Sequence, residues 1–393
     1  MDQAGHFSSQ PATAWVVLAA GQGTRMRSSL PKVLHPLCGR PLGAFCLAEA
    51  RLVPDWQLVL VVGHEAERVQ RELGFWAARF GVQVAFVRQQ PQLGTGHAVQ
   101  CALGALARSV QEVVISCADM PLLRGASLLQ LVDARRRAQA AGALLAAVVD
   151  DPTGYGRILR RSPGDGGDGV ADVAAIVEER DATPEQRRIR EVNTGTYCFQ
   201  REPLEQALAH LRPDNAQGEY YLTDTVGWLA AQGRRVVAVP LADPLEAAGV
   251  NDRAQLARLE QLLFRRARQR LEQAGARFAG EPPAQVEPWV EAGADCVLYP
   301  GAYVGGESRL GRGCVVGPGA RVVDSVLEED VWVAGATLVG CHVGRSARIG
   351  PGVAIAPGSV ISAGALIGET AAWQGLGQGG SLHDGRRFAG APA

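Results

Sequence analysis

The chain has 393 residues, which at roughly 100 to 200 residues per domain makes two or three domains. Its 39 Lys plus Arg stand against 40 Asp plus Glu, a formal charge of -1, so no global field gathers nucleic acid or an anionic membrane, and any anion must be bound locally. No apolar run is long enough to span a bilayer, the first ten residues lack the basic and apolar regions of a secretory signal, and the eight cysteines contain no C-x-x-C pair; these features argue against a membrane protein, a zinc site and a disulfide framework, and a cytoplasmic location is expected.

After a tail over 1–12, residues 14–20, A-W-V-V-L-A-A, form an apolar run ended by glycine, the pattern of a strand buried on both faces of a sheet. Similar runs follow at 58–62, 82–87, 113–116, 144–149 and 236–239, with helical stretches such as 65–73 and 97–108 between them. Strands alternating with helices predict βαβ units and a parallel sheet covered on both sides, a Rossmann-like α/β domain over 13–250. Residues 251–278 carry Leu256, Leu259, Leu263 and Leu271 near helical spacing and predict one connecting helix. Its arginines at 265, 266, 268 and 270 are flanked by Glu260 and Glu272, which predicts a solvated face rather than a nucleic-acid patch.

Over 282–369 a six-residue repeat appears. Leu298, Val304, Leu310, Val316 and Val322 are spaced by six; Val326, Trp332 and Leu338 continue it after a slip; Val343, Ile349, Ile355, Ile361 and Ile367 resume it. One inward aliphatic residue per short strand, with small residues at the turns, specifies a parallel β-helix of about four coils. Residues 370–393 have no repeat and read as a loose tail.

The chemistry concentrates at L18-A-A-G-Q-G-T-R-M followed by L-P-K-V-L-H at 30–35. A glycine-rich loop directly after a buried strand presents backbone N–H groups to phosphate. It is neither a Walker A loop nor a dinucleotide fingerprint, because the last position of G-x-G-x-x-G is Met26. Arg25 and Lys32 add two cations to the loop, as charge neutralisation in phosphoryl or nucleotidyl transfer requires. Lys32 is the one lysine among the 39 basic residues.

The string G-x-G-T-R-M-x-S-x-L-P-K resembles the signature of sugar-nucleotide pyrophosphorylases, and L-H-P-L-x-G-R-P narrows the likeness to the bacterial N-acetylglucosamine-1-phosphate uridyltransferase family. Segments from 89 (Q-Q-P-Q-L-G-T-G-H-A-V), 151 (D-P-T-G-Y-G-R), 176 (I-V-E-E-R-D-A-T-P-E-Q), 191 (E-V-N-T-G-T-Y), 215 (N-A-Q-G-E-Y-Y-L-T-D) and 249 (G-V-N-D-R) agree in order. The resemblance implies a nucleotidyltransferase domain of GT-A type followed by a short left-handed β-helix, with UTP and a sugar-1-phosphate as ligands and a homotrimeric assembly. It implies that Leu18, Ala19, Gly21, Gln89, Gly94 and Thr95 hold the nucleotide, and that Arg25 and Lys32 clamp its triphosphate. Asp119 and Asn251 would bind Mg2+, and Gly156, Glu178, Asn193, Tyr220 and Thr223 the sugar phosphate. Taken alone, Asp119 and Asn251 are equally suited to capping helices, and His35 and His97 read as structural.

The chain departs from the family in two places. Cys117 and Ala118 stand before Asp119 where an aromatic residue and glycine are usual, and the added Cβ of Ala118 is expected to crowd the ribose or shift the loop. Family members commonly carry an acetyl-CoA-dependent acetyltransferase in a longer β-helix; here Ala356 occupies the place of an expected arginine, no lysine follows Lys32, and His342 is the only histidine of the repeat. The expectation is a uridylyltransferase without acetyl transfer. A pyrophosphorylase for another sugar-1-phosphate or dTTP, or a non-catalytic regulatory or scaffold protein, are the alternatives.

Overall fold

A computed structural model describes residues 12–161 and 172–368, so the tails expected at 1–12 and 370–393 lie outside it, apart from position 12. The chain divides into two compact units between Leu256 and Ala257.

In the first unit the strands of the main sheet are β1 (Thr13–Ala19), β2 (Gln57–Val62), β3 (Ala85–Arg88), β4 (Glu112–Cys117), β5 (Gly142–Val148), β6 (Gly156–Arg160), β7 (Val173–Val177), β8 (Glu191–Gln200) and β9 (Val236–Pro240). They form one sheet of order β9-β5-β8-β4-β1-β2-β3, with β6 bonded to β8 and β7. The helices used below are α1 (Ala66–Phe80), α2 (Thr95–Leu103) and α3 (Gly125–Arg137). Successive residues of β1 enter two different cores: Trp15, Val17 and Ala19 one, Ala14 and Val16 the other. Both faces of the sheet are therefore covered, as the unbroken apolar runs require.

The sheet is mixed, which corrects the all-parallel expectation. β1 runs parallel to β2 and β4, but β8 lies between β4 and β5 and is antiparallel to both. The segment 191–200 stood out only as a motif because Asn193, Thr194, Gly195 and Thr196 interrupt its apolar pattern.

The connecting helix, α4, spans Arg253–Gln273 rather than 251–278, and buries Leu259, Leu263, Ala267 and Leu271 at intervals of four. Arg270 is not merely solvated: it donates to the carbonyls of Pro288 and Val290, both at 2.6 Å. The β-helix begins at Arg277, inside the stretch expected to be helical, because Arg277–Phe278 pairs with Val297–Leu298. Its parallel strands stack into sheets of six, five and five, so the described residues complete five coils and open a sixth, against the four expected. The inward residues after the slip are Leu327 and Val333, both buried, and not Val326, which is 38% exposed, or Trp332. A one-residue shift in a strand turns every side chain to the other face, and the spacings of five that produce it here are invisible to a strict hexad count.

Candidate active site

Open α/β sheets place ligands at the carboxyl ends of their strands. Here β1 ends in the glycine loop, β3 delivers Gln89 and β4 delivers Asp119, with Leu18 beside Cys117 and Ala19 beside Val62 in the ladder. These ends surround a cleft of about 440 Å³ lined by all six residues expected to hold the nucleotide, Leu18, Ala19, Gly21, Gln89, Gly94 and Thr95, together with Lys32 and Asp119.

Two glycines shape the loops that border the cleft. Gly23 has φ +63°, and a Cβ there would lie 2.6 Å from Lys32 Cβ; any other residue would push Lys32 away. Gly94 has φ +106°, and a Cβ would meet the Tyr220 carbonyl at 2.8 Å. Around Gly94 the Gln89 amide donates to the Gly94 carbonyl at 2.9 Å and contacts His97 Nδ1 at 3.2 Å, while Thr95 Oγ1 accepts from the Leu222 N–H at 3.0 Å. His97 thus positions Gln89, in keeping with a structural role. Gln22 and Gln92, which sequence reasoning missed, tie this loop to the glycine loop: Gln22 donates to Gln92 Oε1 at 3.0 Å, and Gln92 donates to the Ala20 carbonyl. Glu219 also lines the cleft unforeseen; its polar neighbours in the motif hid it.

Arg25, Lys32, Asp119 and Asn251 meet although they are far apart in sequence. Lys32 Nζ forms an ion pair with Asp119 Oδ2 and donates to Asn251 Oδ1 at 3.0 Å; Arg25 donates to the same Oδ1 at 2.9 Å. Neither candidate ligand caps a helix. At the start of α3 the N–H groups of Arg124 and Gly125 donate to Glu246 and Glu49, leaving Asp119 free of that task. At the start of α4 it is Asp252 that accepts the Gln255 N–H at 2.7 Å, and the Gln255 side chain accepts the Asn251 N–H. The Val250 N–H donates to the Asp119 carbonyl at 2.9 Å, which holds the two segments together. A carboxylate and an amide oxygen converging on one cation form a donor set that fits a hard divalent ion retaining several waters.

Three of the five residues expected at the sugar phosphate, Gly156, Glu178 and Thr223, lie together. Thr223 Oγ1 donates to Glu178 Oε1 at 3.1 Å, and a Cβ on Gly156 would come within 3.5 Å of both Glu178 oxygens. Burial pushes the Glu178 carboxyl above its ordinary range, aided by the charges of Asp224 and Asp181, although the Thr223 hydroxyl pulls the other way. Asn193 is buried, donating to Tyr197 Oη at 2.6 Å and accepting the Gly195 N–H at 3.1 Å. The Tyr220 backbone bonds Leu93 and Gly96, and its side chain packs against the core.

Cys117 lines the cleft. Burial, and then the Asp119 charge, push its thiol up to about 12, with Lys32 opposing and Glu178 adding to the rise, so the thiol stays neutral. Ala118, expected to crowd the ribose, instead lies 2% exposed in the core beneath the sheet, and its N–H bonds the Leu18 carbonyl at 3.0 Å.

A glycine loop, two cations and an oxygen pair at the carboxyl ends of a mixed sheet define a nucleotidyltransferase of the sugar-1-phosphate pyrophosphorylase kind. Residues 15–279 match the MobA-like NTP transferase domain. The chain is 44% identical over 331 residues to "Bifunctional protein GlmU" of Syntrophotalea carbinolica, covering 84% of this chain and 68% of that one. It is 41% identical over 357 residues to the protein of the same name from Trichlorobacter lovleyi, covering 91% and 75%. The chain belongs to the GlmU family. A solved UDP-glucose pyrophosphorylase complexed with UDP-glucose shares the fold at 16% identity and a TM-score of 0.50, over 65% of this chain and 99% of that one.

Proposed function

We propose that the protein transfers uridylyl from UTP to N-acetylglucosamine-1-phosphate, giving UDP-N-acetylglucosamine and pyrophosphate. The observation that carries the reading is the convergence of Arg25, Lys32, Asp119 and Asn251 beside the glycine loop. Arg25 and Lys32 clamp the triphosphate, and the loop N–H groups cradle it. Gln89 and the Gly94 backbone read the uracil edge; Glu178, Thr223, Asn193, Tyr220 and Gly156 hold the sugar phosphate so that its oxygen attacks the α-phosphorus in line. Asp119 and Asn251 would hold Mg2+, which supplies charge neutralisation at the phosphates. No covalent intermediate or general base is required, since the attacking phosphate is ionised near neutral pH, its second pKa being about 6; positioning and electrostatic stabilisation carry the rate.

Acetyl transfer is not part of this reading. Its basis is Ala356, which stands where the family's arginine is expected. The β-helix faces are proposed to assemble the protein as a homotrimer, which light scattering checks, and the enzyme is proposed to work in the cytoplasm. The decisive experiment is a pyrophosphate-release screen over four nucleoside triphosphates and several sugar-1-phosphates. The expected best pair is UTP with N-acetylglucosamine-1-phosphate. A faster reaction with dTTP and glucose-1-phosphate would replace the substrate assignment, and no release with any pair would leave a regulatory or scaffold role.

A further inference from the structure

The two oxygens suited to a divalent metal are already holding a cation that belongs to the protein. Lys32 Nζ bridges Asp119 Oδ2 and Asn251 Oδ1, and Arg25 donates to the same Asn251 oxygen. The bridge is built in. Lys32 opens a short helical turn, Lys32–Leu34, held against Gly23 at a distance no side chain at 23 would permit. Asn251 is fixed by the Gln255 side chain through its N–H, and Asp119 by the Val250 N–H through its carbonyl. The Lys32 side chain is only 12% exposed and that of Asp119 22%, so the pair is partly screened from water, where an uncompensated carboxylate is costly.

We propose that Lys32 is a placeholder for the metal: in the nucleotide-free protein its ammonium occupies the Asp119–Asn251 pair, and it leaves that pair for the triphosphate when nucleotide enters. The inference rests on the nucleotidyltransferase reading above and adds an order of events to it. An ammonium and a divalent cation cannot share the same two oxygens without strong like-charge repulsion. Magnesium typically takes one or two protein carboxylates and completes its shell with water and substrate phosphates, so two protein oxygens already engaged by Lys32 and Arg25 form a poor site by themselves. The triphosphate changes both sides of that competition. It offers Lys32 and Arg25 a more highly charged partner, which releases Asp119 and Asn251, and it contributes the missing phosphate oxygens. A flexible lysine stem with a compact charge suits a switch between two oxygens and a phosphate. Metal and nucleotide then bind with positive coupling, and by linkage each raises the affinity for the other by the same factor.

The test is to titrate Mn2+ into the full-length protein, freed of metal and nucleotide, counting free Mn2+ by electron paramagnetic resonance. The wild-type protein should bind Mn2+ weakly without nucleotide and at least about tenfold more tightly with saturating UTP. Lys32→Met should bind Mn2+ at least about tenfold more tightly than wild type without nucleotide, and gain less from UTP; adding Asp119→Asn should abolish the advantage. A folded Lys32→Met variant that binds Mn2+ no better than wild type would overturn the proposal. If that variant does not fold, reductive methylation of the wild-type chain decides, because Lys32 is its only lysine: millimolar Mn2+ alone should speed labelling of Lys32 by displacing it, and indifference to Mn2+ overturns the idea. If wild-type protein binds UTP yet shows none of these effects, the placeholder alone falls. If it binds no UTP, the nucleotidyltransferase reading falls and takes the placeholder with it.

Discussion

Lys32, which lines the cleft, and the buried carboxyl of Glu178 are each open to a direct test. Lys32 reaches two oxygens at once from a backbone pinned under Gly23. Lys32→Arg keeps the charge but substitutes a wider fork for a compact ammonium, so it should lower kcat/KM at least about tenfold, or about 1.4 kcal/mol of transition-state stabilisation. Full activity of that variant in steady-state assays would remove Lys32 from the chemistry. Glu178 is the second case, a carboxyl raised by burial and by Asp224 and Asp181. Its folded state holds the proton more tightly than the unfolded chain does, so as pH climbs through the ordinary carboxylate range the unfolded state ionises first. Stability therefore falls with rising pH on account of this group. Glu178→Gln should then raise the unfolding midpoint at pH 8, leave it nearly unchanged at pH 4, and raise KM for the sugar phosphate. A variant that is destabilised at pH 8 would contradict the burial argument. That Arg25, Lys32, Asp119 and Asn251 come together was legible in the motifs; the Gln22–Gln92 contact was not, because a side chain's partner across 70 residues leaves no local pattern.

Among the elements, the β-helix shows where periodicity succeeds and where it slips. Its repeat was plain wherever the spacing stayed at six, but the turns near 324, 335 and 340 each shorten a hexad to five, and counting back by six from Leu338 then points to Trp332 and Val326 instead of Val333 and Leu327. Leu327 is 1% exposed within a continuous apolar column. Leu327→Ala should cost about 2–5 kcal/mol as a core cavity, whereas Val326→Ala should change stability by less than about 0.5 kcal/mol as a surface substitution. Denaturant titration of the two variants side by side distinguishes the registers, and a reversed order would restore the hexad count. The first coil escaped notice for a different reason: Arg277–Phe278 follows directly on an amphipathic helix, so its two-residue strand is outweighed by the helical pattern before it. In the first unit the parallel strands announced themselves as apolar runs, but β8 did not. It bends at Gly195, whose φ is +80°, and its register to β5 shifts between Asn193 and Tyr197. Before that irregularity Asn193 pairs directly with Gly156.

At the scale of the whole chain, two units with separate apolar cores should lose structure separately. The sheet's two cores draw only on residues before 257, and the β-helix core only on residues after it. Two-state unfolding is characteristic of single domains and not of chains with several, so calorimetry should resolve two transitions. Ligand binding then assigns them. UTP with Mg2+ is proposed to occupy the first unit alone, and a ligand stabilises whatever binds it by RT ln(1 + [L]/Kd), about 2.7 kcal/mol at a hundredfold excess over Kd. One transition should therefore move up by several degrees on adding UTP with Mg2+ while the other stays. Leu327→Ala should lower the transition that UTP leaves unmoved. If the β-helix assembles as a trimer, that same transition should also climb with protein concentration, because association stabilises by mass action, and the UTP-sensitive one should follow it less. A single transition that shifts as a whole under UTP, under Leu327→Ala and under dilution would mean that the two cores unfold as one cooperative body, and the division at Leu256 would then describe contacts without describing stability.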